Sequence, residues 1–133
     1  MGLSMYLYGR KYIASDWENP KNNLMEDGYR VVEKRLDIGY WRKHPNLHGF
    51  IVQEFADNVD ECQEIELSVD DIHKIIDAVV HRKLPDTEGF FFGKSEADDE
   101  AIQNDLQILK RALEWVTAEG NTGFRSLVYQ ASW

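Results

Sequence analysis

The sequence predicts an α+β fold in one small domain, with a mainly antiparallel sheet of three to four strands packed against three helices. Three observations carry that expectation. The chain opens and closes on β-prone segments, residues 4–8 and 125–133. Two stretches, residues 69–80 and 102–116, repeat apolar side chains at threes and fours, the spacing of one buried helix face. And 133 residues with 43% hydrophobic and 12% aromatic content suit a single core without disulfide staples.

Ser4-Met5-Tyr6-Leu7-Tyr8 reads as an N-terminal strand ending at Gly9. Residues 10–23 mix Tyr12, Ile13 and Trp17 with the turn formers Ser15-Asp16, Asn19-Pro20 and Asn22-Asn23, so any helix there is brief. Asp27-Gly28 marks a turn or the start of an element over residues 29–36, for which strand and helix both stand. Residues 36–41 alternate as a strand, and Pro45 then starts a helix that buries Leu47, Phe50, Ile51 and Phe55 and ends near Ala56.

Residues 57–61 form an acidic loop, and residues 62–67 alternate polar and apolar as a half-buried strand. Ser68, with Asp71 three positions later, has the form of a capping box before a helix carrying Val69, Ile72, Ile75, Ile76, Val79 and Val80. His81-Arg82-Lys83 then places cations in its last turn ahead of Pro85. In the Gly89-Phe90-Phe91-Phe92-Gly93 segment the three rings cannot all face one way, so at least one enters the core, and the segment can also wall an apolar pocket. Acids at Glu96, Asp98, Asp99 and Glu100 load the start of the last helix, which shows Ile102, Leu106, Leu109, Leu113 and Val116 and stops near residues 119–121. The closing segment needs a pairing partner to stay ordered, and the N-terminal strand is the expected neighbour.

Composition removes several function classes. Fifteen Lys and Arg against 24 Asp and Glu give a net charge of −9, which opposes DNA binding because phosphate contacts supply most of that affinity. Cys62 is the single cysteine, which excludes an intrachain disulfide and a Cys-rich zinc site, and its acidic surroundings argue against a thiol nucleophile. His44 with His48, and His73 with His81, do not make a convincing metal-ligand pattern, and no cofactor motif is present. No stretch has the charged-then-apolar form of a signal peptide or approaches the roughly 18 apolar residues of a membrane span, so a soluble, cytoplasmic protein is expected.

The densest chemistry lies in residues 40–50. Tyr40 or Trp41 can stack on a base, Arg42 and Lys43 can hold a phosphate at a helix start, and Asn46 or His48 can read polar edges, with Phe91 and Phe92 as an apolar wall. The plainer reading makes Trp41 core, pairs Arg42 with an acid and gives His48 a backbone partner. A second candidate surface is acidic: from Glu54 to Asp71 there are eight carboxylates and no Lys or Arg, with Asp57, Asp60, Glu61 and Glu64 at its centre. A solvated surface explains that run, and so does a docking site for a basic partner.

Tyr40-Trp41-Arg42-Lys43-His44-Pro45-Asn46-Leu47-His48-Gly49, Glu61-Cys62-Gln63-Glu64, Gly89-Phe90-Phe91-Phe92-Gly93 and the ending Tyr129-Gln130-Ala131-Ser132-Trp133 together resemble a family of small phage and prophage-associated proteins of unknown function. Gly49-Phe50 and Ala131 depart from the family's usual pattern. Members are sometimes labelled phosphoglycerate kinase, a label that this chain's size and lack of a nucleotide-binding loop do not support. The resemblance implies a bacterial cytoplasm as the setting and transfers no catalytic residues. The resulting expectation is a phage-type accessory protein that acts by non-enzymatic binding. It either sequesters an anionic small molecule such as a nucleotide signal of host defence, or docks through its acidic surface on a basic host protein. A small enzyme of unfamiliar chemistry is the remaining class.

Overall fold

The two ends of the chain lie side by side in the middle of one sheet. In the computed structural model, which describes residues 2–87, 98–118 and 125–133, strand β1 (Ser4–Tyr12) pairs antiparallel with β6 (Arg125–Ser132) from Ser4 opposite Ser132 to Lys11 opposite Arg125. The expected neighbour of the closing strand is therefore its actual one. β4 (Glu33–Arg42) flanks β1 and β5 (Ile65–Leu67) flanks β6, giving the order β4-β1-β6-β5, antiparallel throughout. Three helices, α1 (Pro45–Phe55), α2 (Val69–Val80) and α3 (Asp99–Thr117), complete an α+β fold.

Alternation decides which face of the sheet the helices cover. Met5 and Leu7 of β1, Trp41 of β4, Leu127 and Tyr129 of β6 and Ile65 and Leu67 of β5 are buried, and they meet Leu47, Ile51, Ile72, Ile75 and Leu109 from the helices. Each such side chain contributes about 1.5–3 kcal/mol when fully buried. Tyr6, Tyr8 and Arg10 point to the opposite face, where the Arg35 guanidinium sits over the Tyr8 ring, 5.1 Å from its centroid. Gly39 lies beneath α3, and a Cβ there would run into the Ile108 side chain, so this glycine sets how closely α3 approaches β4.

Residues 29–36, for which helix and strand both stood, are extended. A two-stranded hairpin, β2 (Met25–Glu26) and β3 (Tyr29–Arg30), turns through Asp27 and Gly28 at φ 53° and 84°, and β4 follows at once. Positive φ at both central residues matches the right-handed twist of the flanking strands. The strand expected over 62–67 shortens to Ile65–Leu67. Cys62, at φ 58°, leaves extended geometry, and its carbonyl instead accepts a bond from Gln130 Nε2.

The helix starts follow their sequence signals. Ser68 Oγ accepts from Asp71 N and Asp71 Oδ2 accepts from Ser68 N, a complete capping box. Asp98 caps α3 by accepting from Ala101 N at 2.8 Å. One detail differs: α2 ends at Val80, so Arg82 and Lys83 fall beyond its last turn rather than in it, and Arg82 adopts φ 55°. Its guanidinium pairs with Asp99 at 2.8 Å, tying the end of α2 to the start of α3. No helix among the described residues is long and apolar enough to cross a membrane. The phenylalanine loop, with Phe91 and Phe92, lies outside the described residues.

Candidate functional site

The strand-to-helix corner expected around Pro45 exists, and α3 completes it. β4 delivers Tyr40, Trp41 and Arg42. Lys43 then takes a left-handed φ of 55° that turns the chain, its N–H bonded to the Leu3 carbonyl at 2.9 Å, and Pro45 begins α1. Trp41 is buried toward the helices, where its Nε1–H donates to Asp105 Oδ1 of α3 at 2.9 Å. The other oxygen of Asp105 meets His44 Nε2 at 2.8 Å. Asp105 is 4% exposed, so the core encloses this carboxyl with both oxygens occupied. A carboxylate only accepts, so His44 donates from Nε2 in this contact.

Between this corner and the start of α3 opens a cleft of about 620 Å³. One wall is Tyr40 to His44, and the other comprises Asp98, Glu100, Ala101, Asn104 and Asp105. Arg42 and Lys43 are exposed and form no ion pair among the described residues, so the expectation that an acid neutralises Arg42 is not met there. Both cations lie at the N-terminal end of α1, where the helix dipole adds positive potential. The α3 wall is of opposite sign, so the cleft is bipolar rather than uniformly cationic.

His48 and Asn46 go elsewhere. His48, 2% exposed, is held between Tyr129 Oη at 2.6 Å from Nδ1 and Asp60 Oδ1 at 2.9 Å from Nε2, with the Trp133 ring edge-on at 5.7 Å. Burial pushes its imidazole below the ordinary value of 6.5, and the nearby Asp60 carboxylate partly opposes that. The neutral ring donates from Nε2 to Asp60 and accepts the Tyr129 hydroxyl proton at Nδ1. Burial, and then the Asp60 charge, raise the Tyr129 phenol well above 10. His48 thus joins α1, the 57–61 loop and β6. Asn46 Oδ1 accepts from Thr87 N at 2.9 Å and anchors the segment after α2.

The acidic run is not a continuous free surface either. Asp60 is committed to His48 and Glu64 pairs with Arg35 at 2.8 Å. Asp57 sits in a turn at φ 51°, and the Glu61 N–H donates to Gln63 Oε1. No cluster among the described residues groups three or more side chains able to hold a metal ion.

Of the proposed ligand-binding residues, Tyr40, Trp41, Arg42 and Lys43 all line one cleft, but the Tyr40 ring packs on Tyr6 and the Trp41 indole is buried on Asp105, so neither is placed to stack on a base; Asn46 and His48 go to structural contacts. Sequence reasoning did not place Glu100, Asn104 or Asp105 at the site, and it gave His44, within the dense 40–50 stretch, no specific role. One signal was present: Asp105 stands three residues after Ile102 and four before Leu109, on the apolar stripe of its helix, where a carboxylate needs a partner. The chain matches no protein-family model, no curated protein and no solved structure.

Proposed function

We propose that this protein binds a small anionic molecule of the nucleotide class in the cleft between the β4–α1 corner and α3. One observation carries the reading. Arg42 and Lys43, consecutive in sequence and without an ion pair among the described residues, stand on the rim of a cleft whose floor is braced by the buried contacts of Asp105 to Trp41 and His44. Charged donors at a helix start favour phosphate, and a braced floor reduces the ordering cost of binding. The Tyr40 ring packs on Tyr6 across the strand pair, 5.3 Å between centroids, so the charged side chains and not this ring carry the recognition. The activity proposed is retention of the ligand, the action expected of a sequestering accessory protein.

Calorimetry with a panel of mononucleotides, cyclic nucleotides and inorganic pyrophosphate tests this reading. Binding is expected for at least one member. Arg42→Ala should weaken it about tenfold or more, the scale of a lost charge-assisted hydrogen bond. Affinity should also fall as salt rises. Absence of binding across the panel, or an Arg42→Ala variant that binds as the wild type does, overturns the proposal.

A further inference from the structure

The opposite wall of the cleft adds a second chemical demand on any molecule held there. Glu100 and Asn104 are four residues apart on α3, so their side chains are neighbours on one helix face, and both line the cleft. Both are exposed, and neither makes a side-chain hydrogen bond or ion pair among the described residues. Ala101, the small residue between them on that face, also lines the cleft and leaves the approach to the pair open. Asp98 differs, because its Oδ1 is engaged by the Ala101 N–H as the helix cap.

A carboxylate beside an amide offers adjacent acceptors, while the facing wall offers Arg42 and Lys43. A molecule that satisfies both walls is anionic at one end and presents neighbouring hydrogen-bond donors at the other. Simple anions meet this test poorly, since phosphate and pyrophosphate are negative throughout and bring like charge against Glu100. A free amino acid is dipolar but leaves most of about 620 Å³ unfilled, a volume within the roughly 300–1,000 Å³ of sites that hold drug-sized ligands. A ribonucleoside phosphate meets each demand. Its phosphate takes Arg42 and Lys43, its vicinal 2′- and 3′-hydroxyls donate to Glu100 with Asn104 alongside, and its base occupies volume that a smaller molecule leaves empty. Acidic side chains recognise ribose hydroxyls in this way in dinucleotide folds.

We infer that the cleft selects ribonucleotides with a free 2′,3′-diol, and that Glu100 and Asn104 are the specificity-determining residues. This rests on the anion reading of the same cleft and adds to it a demand on the sugar.

The experiment compares adenosine and guanosine 5′-mono- and diphosphates with their 2′,3′-dideoxy counterparts and with inorganic pyrophosphate, using the full chain in calorimetry. The wild type is expected to bind a ribonucleotide about tenfold or more tightly than its dideoxy form, the scale of a lost hydrogen bond to a charged group. Glu100→Gln, which keeps the size of the side chain and removes its charge, should shrink that ratio toward one while the dideoxy affinity holds or rises. Circular dichroism confirms that the variant is folded. Equal affinity for the ribo and dideoxy forms overturns the diol inference and leaves the anion reading standing, as does pyrophosphate binding as tightly as the ribonucleotide. A ribo-to-dideoxy ratio unchanged in both Glu100→Gln and Asn104→Ala removes these residues from the role. No binding of any probe overturns the anion reading and the diol inference together.

Discussion

Asp105 Oδ2 and His44 Nε2 lie 2.8 Å apart, and this contact joins the two walls of the cleft. Asp105 belongs to α3 and His44 to the β4–α1 corner, so the side chain that braces the floor also sets the spacing of Arg42 and Lys43 from Glu100 and Asn104.

Asp105→Ala is therefore expected to cost more than an ordinary truncation. It removes both acceptors and leaves the indole N–H of Trp41 and the His44 ring without them, each in or at the edge of the core. A stranded buried polar group costs about 1–3 kcal/mol, so a total of roughly 2–5 kcal/mol is expected in urea unfolding. Asp105→Asn keeps one carbonyl acceptor and should lose less. Equal losses for the two variants would mean that packing, and not the paired hydrogen bonds, holds the corner.

His48 makes stability depend on pH. Burial lowers its folded-state value below that of the unfolded chain, near 6.5. Between the two values the unfolded state binds more protons, so stability rises with pH there. The His48 contribution is complete above about pH 6.5 and is lost as pH falls through the folded value. Denaturation followed from pH 8 down to pH 5 should show this loss, and His48→Gln should flatten it. Asp60→Asn should steepen it, because the carboxylate opposes the downward shift and its removal depresses the imidazole further. A wild-type profile as flat as that of His48→Gln rules the mechanism out.

Much of this architecture was legible in the residues because local signals agreed. Alternation in 4–8 and 125–133, Pro45, the Ser68–Asp71 box and the acids before α3 each depend on neighbours a few positions away, and each produced its element. The cleft was half legible for the same reason. Tyr40 to Lys43 are contiguous, so one corner placed them together. Asp105 reaches Trp41 across 64 residues, and only packing of α3 on β4 creates that pair. His48 misled because it shares a short segment with His44. Four residues of helix carry its side chain toward Tyr129 and β6, while His44, at the helix cap, turns toward α3. The shortening of β5 followed from the backbone of Cys62, whose left-handed conformation no periodicity announces.

Gly39 links packing to the site and gives the last prediction. A Cβ at this position would collide with Ile108, so Gly39→Ala requires α3 to shift or Ile108 to move. Overpacking of this kind costs about 1–3 kcal/mol. If α3 lifts, Asp105 retreats from Trp41 and His44, and the cleft walls separate. The single variant should thus lose stability and also weaken the nucleotide binding proposed above, although Gly39 does not line the cleft. Ile108→Val trims the opposing side chain and should return part of both losses in the double variant. A coupling near zero in that double-mutant cycle would show that the two side chains do not oppose each other. A loss of stability with unchanged nucleotide affinity would show that α3 holds its place over β4 while the strain is absorbed elsewhere.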